Sequence, residues 1–314
     1  MTVDTQLPVP VATRRRRGSR ERETPTRSVI SPADLRRPGV RIGVRVTQGV
    51  LLLLVALAGI GPLWWLIKGA LSGTQELLRN PAAFWPAVTQ WSNLGNAWTQ
   101  LDIGHYLLNT VVYAVGAALT QVLVAVTAGF ALSVLRPRFG PVVYGAILAT
   151  LFVPGTVSLV ALYLTIIDLP GLHVNIANTP WAIWLPAGAH AFNVLIAKQF
   201  FDTLPRELFE AASVDGASSL RMLWQIAMPL SRPMMFAIGL LSLIGAWKDF
   251  IWPLIAMSDP TRQPLSVALP RLAQNADQAL LLAGMLISTI PPLIVFIVFQ
   301  RQVVQGVGFS GLKG

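Results

Sequence analysis

Cysteine is absent from the 314 residues, which excludes a disulfide framework and any thiolate metal site. Histidine is scarce: His105, His173 and His190 stand far apart and show no ligand spacing. Charge is scarce as well. Only 12% of the residues are charged and 54% are hydrophobic, where a soluble domain carries roughly twice that charge. The apolar surface exceeds what a water-soluble fold can hide, so a multi-spanning membrane protein is expected. The net charge of +10 would by itself suggest nucleic acid. Its distribution argues otherwise. Arg14 to Arg17, Arg20, Arg22, Arg27, Arg36, Arg37, Arg41 and Arg45 all precede the first apolar run. A basic segment beside a membrane span is a topology signal, and no nucleic-acid partner is expected.

Residues 1–45 are rich in Arg, Pro, Ser and Thr and poor in large apolar side chains. Such a segment buries too little surface to fold alone, so a disordered cytoplasmic tail that touches anionic lipid is expected. No apolar stretch falls within the first 30 residues, which argues against a secretory signal peptide. An Arg-rich transit peptide is the competing reading of the composition.

Six apolar segments follow, near 46–67, 105–133, 141–164, 180–200, 233–257 and 279–299. Each approaches the roughly 20 residues that cross the hydrocarbon core as a helix. The second is long enough to tilt or to extend beyond the bilayer. With the N-terminus inside, the inner segments hold 19 of the 24 Lys and Arg. That asymmetry places both termini in the cytoplasm. Pro154, Pro186, Pro253, Pro291 and Pro292 fall inside spans. Each removes a backbone donor and bends its helix, and lipid tolerates this only where protein or a wet cavity satisfies the freed groups. Helix packing and kinks that shape a path both fit these positions.

The longest polar inner segment is 201–232, FDTLPRELFEAASVDGASSLRMLWQIAMPLSR. Pro205 suits a first helical turn, and Glu207 and Glu210 follow where the helix dipole favours acids. Asp215-Gly216 predicts a left-handed stop. Ser218 or Ser219 is placed to cap a second helix, with Leu220, Leu223, Trp224 and Ala227 at helical spacing. Pro229 ends that helix or marks its exit. The expected structure is a short helix, a glycine corner and a second helix on the cytoplasmic side. The spacing alone also fits an ordinary amphipathic re-entrant hairpin.

Glu210-Ala211-Ala212, three residues, Gly216, nine residues, Ile226, one residue, Met228-Pro229 resembles the EAA signature of permeases from binding-protein-dependent ABC importers. Met228 stands where that pattern usually has Leu, a volume-conserving change. Leu108-Asn109-Thr110 resembles the family's Asn-Ser/Thr entry to a span. Trp247-Lys248-Asp249-Phe250-Ile251-Trp252-Pro253-Leu254 resembles the Trp-Asn-Asp-Phe-x-x-Pro-Leu run of the carbohydrate branch, and Arg301 to Gly306 with the final Gly-Leu-Lys-Gly resembles its tail. The similarity covers residues 46–314 and is nearest to the maltose-type, six-helix inner permease.

The resemblance implies an all-α membrane protein with six transmembrane helices and a cytoplasmic coupling hairpin. Its implied partners are two copies of a cytoplasmic ATPase subunit, a sister permease, an extracytoplasmic substrate-binding protein, a sugar substrate and membrane lipid, in a bacterial or archaeal cell membrane. Glu210, Ala211, Ala212, Asp215, Gly216, Ile226 and Pro229 would couple the permease to the ATPase. This chain would bind no cofactor, and ATP and magnesium would sit in the ATPase. The sequence has no Gly-x-x-x-x-Gly-Lys-Ser/Thr phosphate loop, so no hydrolytic activity is expected. Ala211 and Ala212 expose little side chain, so another surface can approach the backbone, and Glu210 offers a charge to an arginine of the partner.

Asn109, Trp247, Lys248, Asp249 and Trp252 are candidates for the translocation path or the permease–permease interface. Charges inside a membrane are costly and face a cavity or a partner; the alternative is that Lys248 snorkels to the outer surface. The family usually has Asn at the position of Lys248. Trp64, Trp65, Trp181 and Trp184 lie near span ends, where interfacial anchoring is the default, while Trp247 or Trp252 would suit a sugar ring. Residues 68–104 form the largest outer segment, which by resemblance lies near a docked binding protein. A permease for a non-sugar solute is the first alternative. An ion-coupled secondary transporter should show inverted repeats and several intramembrane carboxylates, and a membrane enzyme should show paired acids or a metal cluster. Neither pattern is visible.

Overall fold

The computed structural model describes residues 37–308, with side chains through Gln300. The described residues contain helices and turns and no strand. The basic segment over 1–36 and the Gly-Leu-Lys-Gly end lie outside them. The chain divides into two compact units at Ile60–Gly61, within the first helix.

Helix α1 runs Pro38–Ala70. It begins inside the segment expected to be disordered, with proline in the first turn where its missing N–H costs nothing. Its apolar side chains from Val46 to Ile60 are exposed, as suits a surface solvated by lipid. Residues 71–102, after α1, carry two short helices, α2 (Thr74–Arg79) and α3 (Ser92–Gln100). Beside them Lys68 is buried, and its ammonium donates to the carbonyl of Pro81 at 3.1 Å. Trp64 stacks on Phe84 with centroids 4.8 Å apart and donates to its carbonyl.

Helix α4 (Ile103–Phe130) continues through a π-turn over Ala131–Leu135 and ends at Arg136, φ 47°, directly before Pro137, which disfavours a right-handed turn in its predecessor. It is the central post, packed against α7, α8 and α12. Two further long helices pass the length and apolarity needed to span a bilayer: α1, and α15 over Gln278–Gln300 of its full Gln278–Gly308 extent.

The third, fourth and fifth apolar segments are not continuous helices. Residues 141–164 divide into α5 (Gly140–Thr150) and α6 (Leu159–Ile167), separated by turns around Pro154. Residues 180–200 divide into α7 (Trp181–Gly188), which holds Pro186, and α8 (Ala191–Asp202). After α8 come α9 (Glu207–Val214), α10 (Ser219–Met222), a π-turn, and α11 (Met228–Leu230). Helix α12 (Arg232–Lys248) leaves this hairpin through a 79° bend at Ser231. It stops at Asp249, whose extended backbone precedes α13 (Ile251–Ala256) with Pro253 in its first turn. Helix α14 (Leu265–Leu272) follows, before α15. Among the described residues three helices are long and apolar enough to cross a membrane, or four if the bent pair over Ser219–Lys248 counts as one.

Small residues let these helices close on one another. A Cβ on Gly116 of α4 would lie 2.1 Å from the Trp184 ring of α7, and one on Gly129 would lie 2.7 Å from the Cβ of Ala197 on α8. Such close approach is how helices associate in lipid, where burial against water supplies no drive.

Candidate functional site

Two regions bring the candidate residues together. The first is a cavity of about 740 Å³ walled by α4, α6, α7, α8, α12 and α13. Lys248, Asp249 and Trp252 line it, whereas Asn109 and Trp247 are not among its lining residues. The broken helices shape this wall. Helix α12 unwinds at Asp249, and the N–H groups of Phe250, Ile251 and Trp252 interact with the Asp249 carboxylate. Lys248 ends α12, where the helix dipole favours a cation, and it is exposed to the cavity. Trp252 is buried, and its indole N–H donates to the carbonyl of Ala182 at 2.9 Å.

Asn109 is occupied elsewhere. Its amide donates to the carbonyls of Thr261 at 2.9 Å and Gln263 at 3.1 Å. Tyr113, one turn on, donates to the carbonyl of Arg262 at 2.7 Å, and the amide N–H of Leu265 donates to Thr110 Oγ1 at 2.8 Å. The start of α4 therefore pairs with the irregular backbone of 260–265, whose polar groups have few partners of their own.

The cavity also holds three residues the sequence reading did not single out. Gln121 of α4, Asn193 of α8 and Ser242 of α12 are each buried and meet in one cluster. The Asn193 amide donates to Gln121 Oε1 at 2.6 Å and to Ser242 Oγ at 3.3 Å, and the Ser242 hydroxyl donates to Gln121 Oε1. Their only sequence signal is a polar residue inside each of three apolar segments, and none of them is the only polar residue there.

The second region is the hairpin on the opposite end of α8. Glu210, Ala211, Asp215, Gly216 and Pro229 are exposed there, and Ala212 and Ile226 are half-buried. Gly216 has φ 76°. The N–H of Ala217 bonds to the carbonyl of Ala212 at 2.9 Å and that of Gly216 to Ser213 at 3.1 Å, the two bonds of a Schellman stop. Ser218 Oγ then accepts from the N–H of Arg221, capping α10. Phe209, Met222, Leu223 and Ala227 anchor the hairpin in a core with Phe130, Phe201 and Ile238.

The outward face of the hairpin exposes apolar side chains among its polar ones. Val214 is 89% exposed, Leu220 69% and Trp224 57%. The inward stripe is Met222, Leu223, Ile226 and Ala227, and Leu220 and Trp224 lie off it. A small cavity of about 190 Å³ lies beside this face, lined by Arg136, Asp202, Arg206, Phe209 and Glu210 among others. Asp202 accepts from Ser133 Oγ and Lys198 Nζ, each at 2.6 Å. Burial pushes the Asp202 carboxyl upward, but these hydrogen bonds and the charges of Lys198 and Arg136 outweigh it and hold the group below its ordinary value.

Comparison with known proteins gives a consistent picture. The family model described as "Binding-protein-dependent transport system inner membrane component" matches residues 121–308. The chain is 30% identical over 264 residues to the lactose transport system permease protein of Rhizobium radiobacter, covering 83% of this chain and 94% of that one. It is 28% identical over 259 residues to the diacetylchitobiose uptake system permease protein of Streptomyces coelicolor, covering 81% and 84%. It is 28% identical over 276 residues to the sn-glycerol-3-phosphate transport system permease protein of Pectobacterium atrosepticum, covering 85% and 96%. Its fold is like that in the crystal structure of a bacterial ABC transporter involved in the import of the acidic polysaccharide alginate, with a TM-score of 0.73 at 24% identity over 87% of this chain and 98% of that chain.

Proposed function

The chain belongs to the family of binding-protein-dependent transport system inner membrane components, and we propose that it forms part of the translocation path for a sugar or sugar-like polyol in an ATP-driven importer. The observation that carries this reading is the anchored hairpin α9–α11 with its exposed apolar side chains. A polar cytoplasmic segment that exposes Val214, Leu220 and Trp224 has the character of a docking surface. In this reading α9 and α10 seat in a cleft of a cytoplasmic ATPase, Glu210 pairs with an arginine there, and closure of two ATPases pushes on the hairpin. The 79° bend at Ser231 joins the hairpin to α12, which walls the cavity, so the push reaches the path through one continuous element. ATP and magnesium belong to the ATPase, and this chain hydrolyses nothing.

The chain crosses the membrane six times in this account, through α1, α4, α5–α6, α7–α8, α12–α13 and α15, with both termini in the cytoplasm. The Lys and Arg distribution supports that orientation, and broken helices around a cavity suit a transporter. One copy works with one sister permease, two ATPase subunits and an extracytoplasmic binding protein. The sugar class is supported by the relatives named for lactose and diacetylchitobiose uptake.

The test is purification of this chain from its native membranes in mild detergent, with the accompanying chains identified by mass spectrometry. A P-loop ATPase and a second multi-spanning chain are the expected companions. A chain that purifies alone and transports in liposomes without ATP overturns the reading.

A further inference from the structure

The Gln121–Asn193–Ser242 cluster leaves two hydrogen-bonding atoms unused. Gln121 is 8% exposed, Asn193 5% and Ser242 5%, and all three line the 740 Å³ cavity. Gln121 Oε1 accepts from both neighbours, and the Asn193 amide donates to both. Gln121 Nε2 and Asn193 Oδ1 have no bond within the described residues. Neither is sealed off, because no buried side-chain polar atom among the described residues lacks a partner. Both atoms therefore open onto the cavity. One is a donor and the other an acceptor, carried by two amides in direct contact on packed helices. Turning both amides over exchanges the roles and leaves the same inventory, one donor and one acceptor.

We propose that Gln121 and Asn193 form a hydroxyl-binding subsite in the cavity wall, held in register by Ser242, which recognises a hydroxyl or vicinal diol of the transported solute. A hydroxyl donates once and accepts up to twice, so a donor–acceptor pair on a rigid wall matches it and mismatches an apolar or purely anionic group. The cost of leaving such a buried pair unmatched is what converts a contact into discrimination. Ser242 is a positioning residue: it touches the two amides and carries the geometry of α12 into the subsite. A shift of α12 relative to α4 and α8 breaks its bonds and reorients both amides, so the subsite has a different form in each arrangement of these helices. The inference rests on the transport reading above and names the chemistry that reading requires in the path.

The test uses the complete importer in proteoliposomes, with lactose, diacetylchitobiose and sn-glycerol 3-phosphate as probes, each beside its monodeoxy analogues. Wild type is expected to prefer one parent solute over at least one monodeoxy analogue by about tenfold or more in kcat/KM. Gln121→Met should reduce that preference to about twofold or less by slowing the parent alone, and Gln121→Glu, which keeps the shape and the two accepted bonds, should do the same if the methionine variant fails to assemble. Any preference contributed by the binding protein is common to wild type and variant and cancels. Ser242→Ala should weaken the preference and Ser242→Thr should restore it. Variants that retain the wild-type preference, or that slow parent and analogue equally, overturn the subsite while leaving the transport reading intact. ATP-dependent movement of none of the three probes overturns the transport reading and the subsite with it.

Discussion

The indole N–H of Trp252 donates to the carbonyl of Ala182 at 2.9 Å, and that carbonyl is the one Pro186, four residues on, has no N–H to reach. The same device recurs at the next break. There the carbonyl of Asp249, extended between α12 and α13, accepts from Ser266 Oγ at 2.6 Å. Both carbonyls at these breaks are thus satisfied by a side chain from a different element, which is one way broken helices are tolerated in a membrane protein.

Trp252→Phe should leave the Ala182 carbonyl without its partner and cost about 1–3 kcal/mol, the usual penalty for an unsatisfied buried acceptor. Restoring the backbone donor with Pro186→Ala should shrink that cost. Thermal unfolding of the single and double variants of the detergent-solubilised complex gives the coupling directly. Equal losses in both backgrounds would mean that the indole stabilises through packing alone.

Gly129 faces Ala197 so closely that a Cβ would fall 2.9 Å from two backbone atoms of α8. Backbone cannot step aside as a flexible side-chain tip can, so Gly129→Val forces α4 and α8 apart. Overpacking of this kind costs about 1–3 kcal/mol. Gly145, with open space around its position, is the control: Gly145→Val should lower the unfolding temperature much less.

Gly216 meets nothing within 4 Å, so its replacement is penalised by backbone conformation, not by contact. At φ 76° a β-branched residue is strained by about 1–2 kcal/mol. Gly216→Val should leave the membrane helices inserted and uncouple ATP hydrolysis from transport. Substrate-stimulated ATPase activity and uptake, measured together, check this; normal values of both would remove the hairpin from the coupling path.

Asp202 should make stability depend on pH. Its folded value lies below the ordinary 3.8, so the unfolded chain binds more protons in that range and stability rises with pH there. The contribution is fully present above the ordinary carboxylate value and is lost as pH drops below it, through the folded value. The pair with Lys198 is partly exposed, so the effect is small. Unfolding temperatures across this range should fall less steeply in Asp202→Asn than in wild type.

The sequence was most informative where the chemistry is local. The stop at Asp215-Gly216 and the cap at Ser218 depend on residues two or three apart, and turn chemistry alone predicts them. The long helices α1, α4 and α15 follow from uninterrupted apolar runs, although α1 starts eight residues before the expected boundary. The breaks in the third, fourth and fifth segments were legible only as prolines. Whether a proline bends a helix or ends it depends on who takes the freed carbonyl, and Trp252 is 70 residues from Ala182. The Gln121–Asn193–Ser242 cluster was illegible for the same reason, since each member is a polar residue whose partners lie 49 to 121 positions away. The helical spacing of Leu220, Leu223, Trp224 and Ala227 did not reveal which of them face the core; Leu223 and Ala227 are buried, and Leu220 and Trp224 are exposed.

The central claim is that this chain is a transport subunit driven by a separate ATPase and fed by a binding protein. The most direct measurement is uptake of labelled sugar by the reconstituted complex, with ATP inside or absent and the binding protein present or withheld. The account predicts uptake only when both are supplied. Uptake that persists without ATP and follows an imposed ion gradient would contradict it.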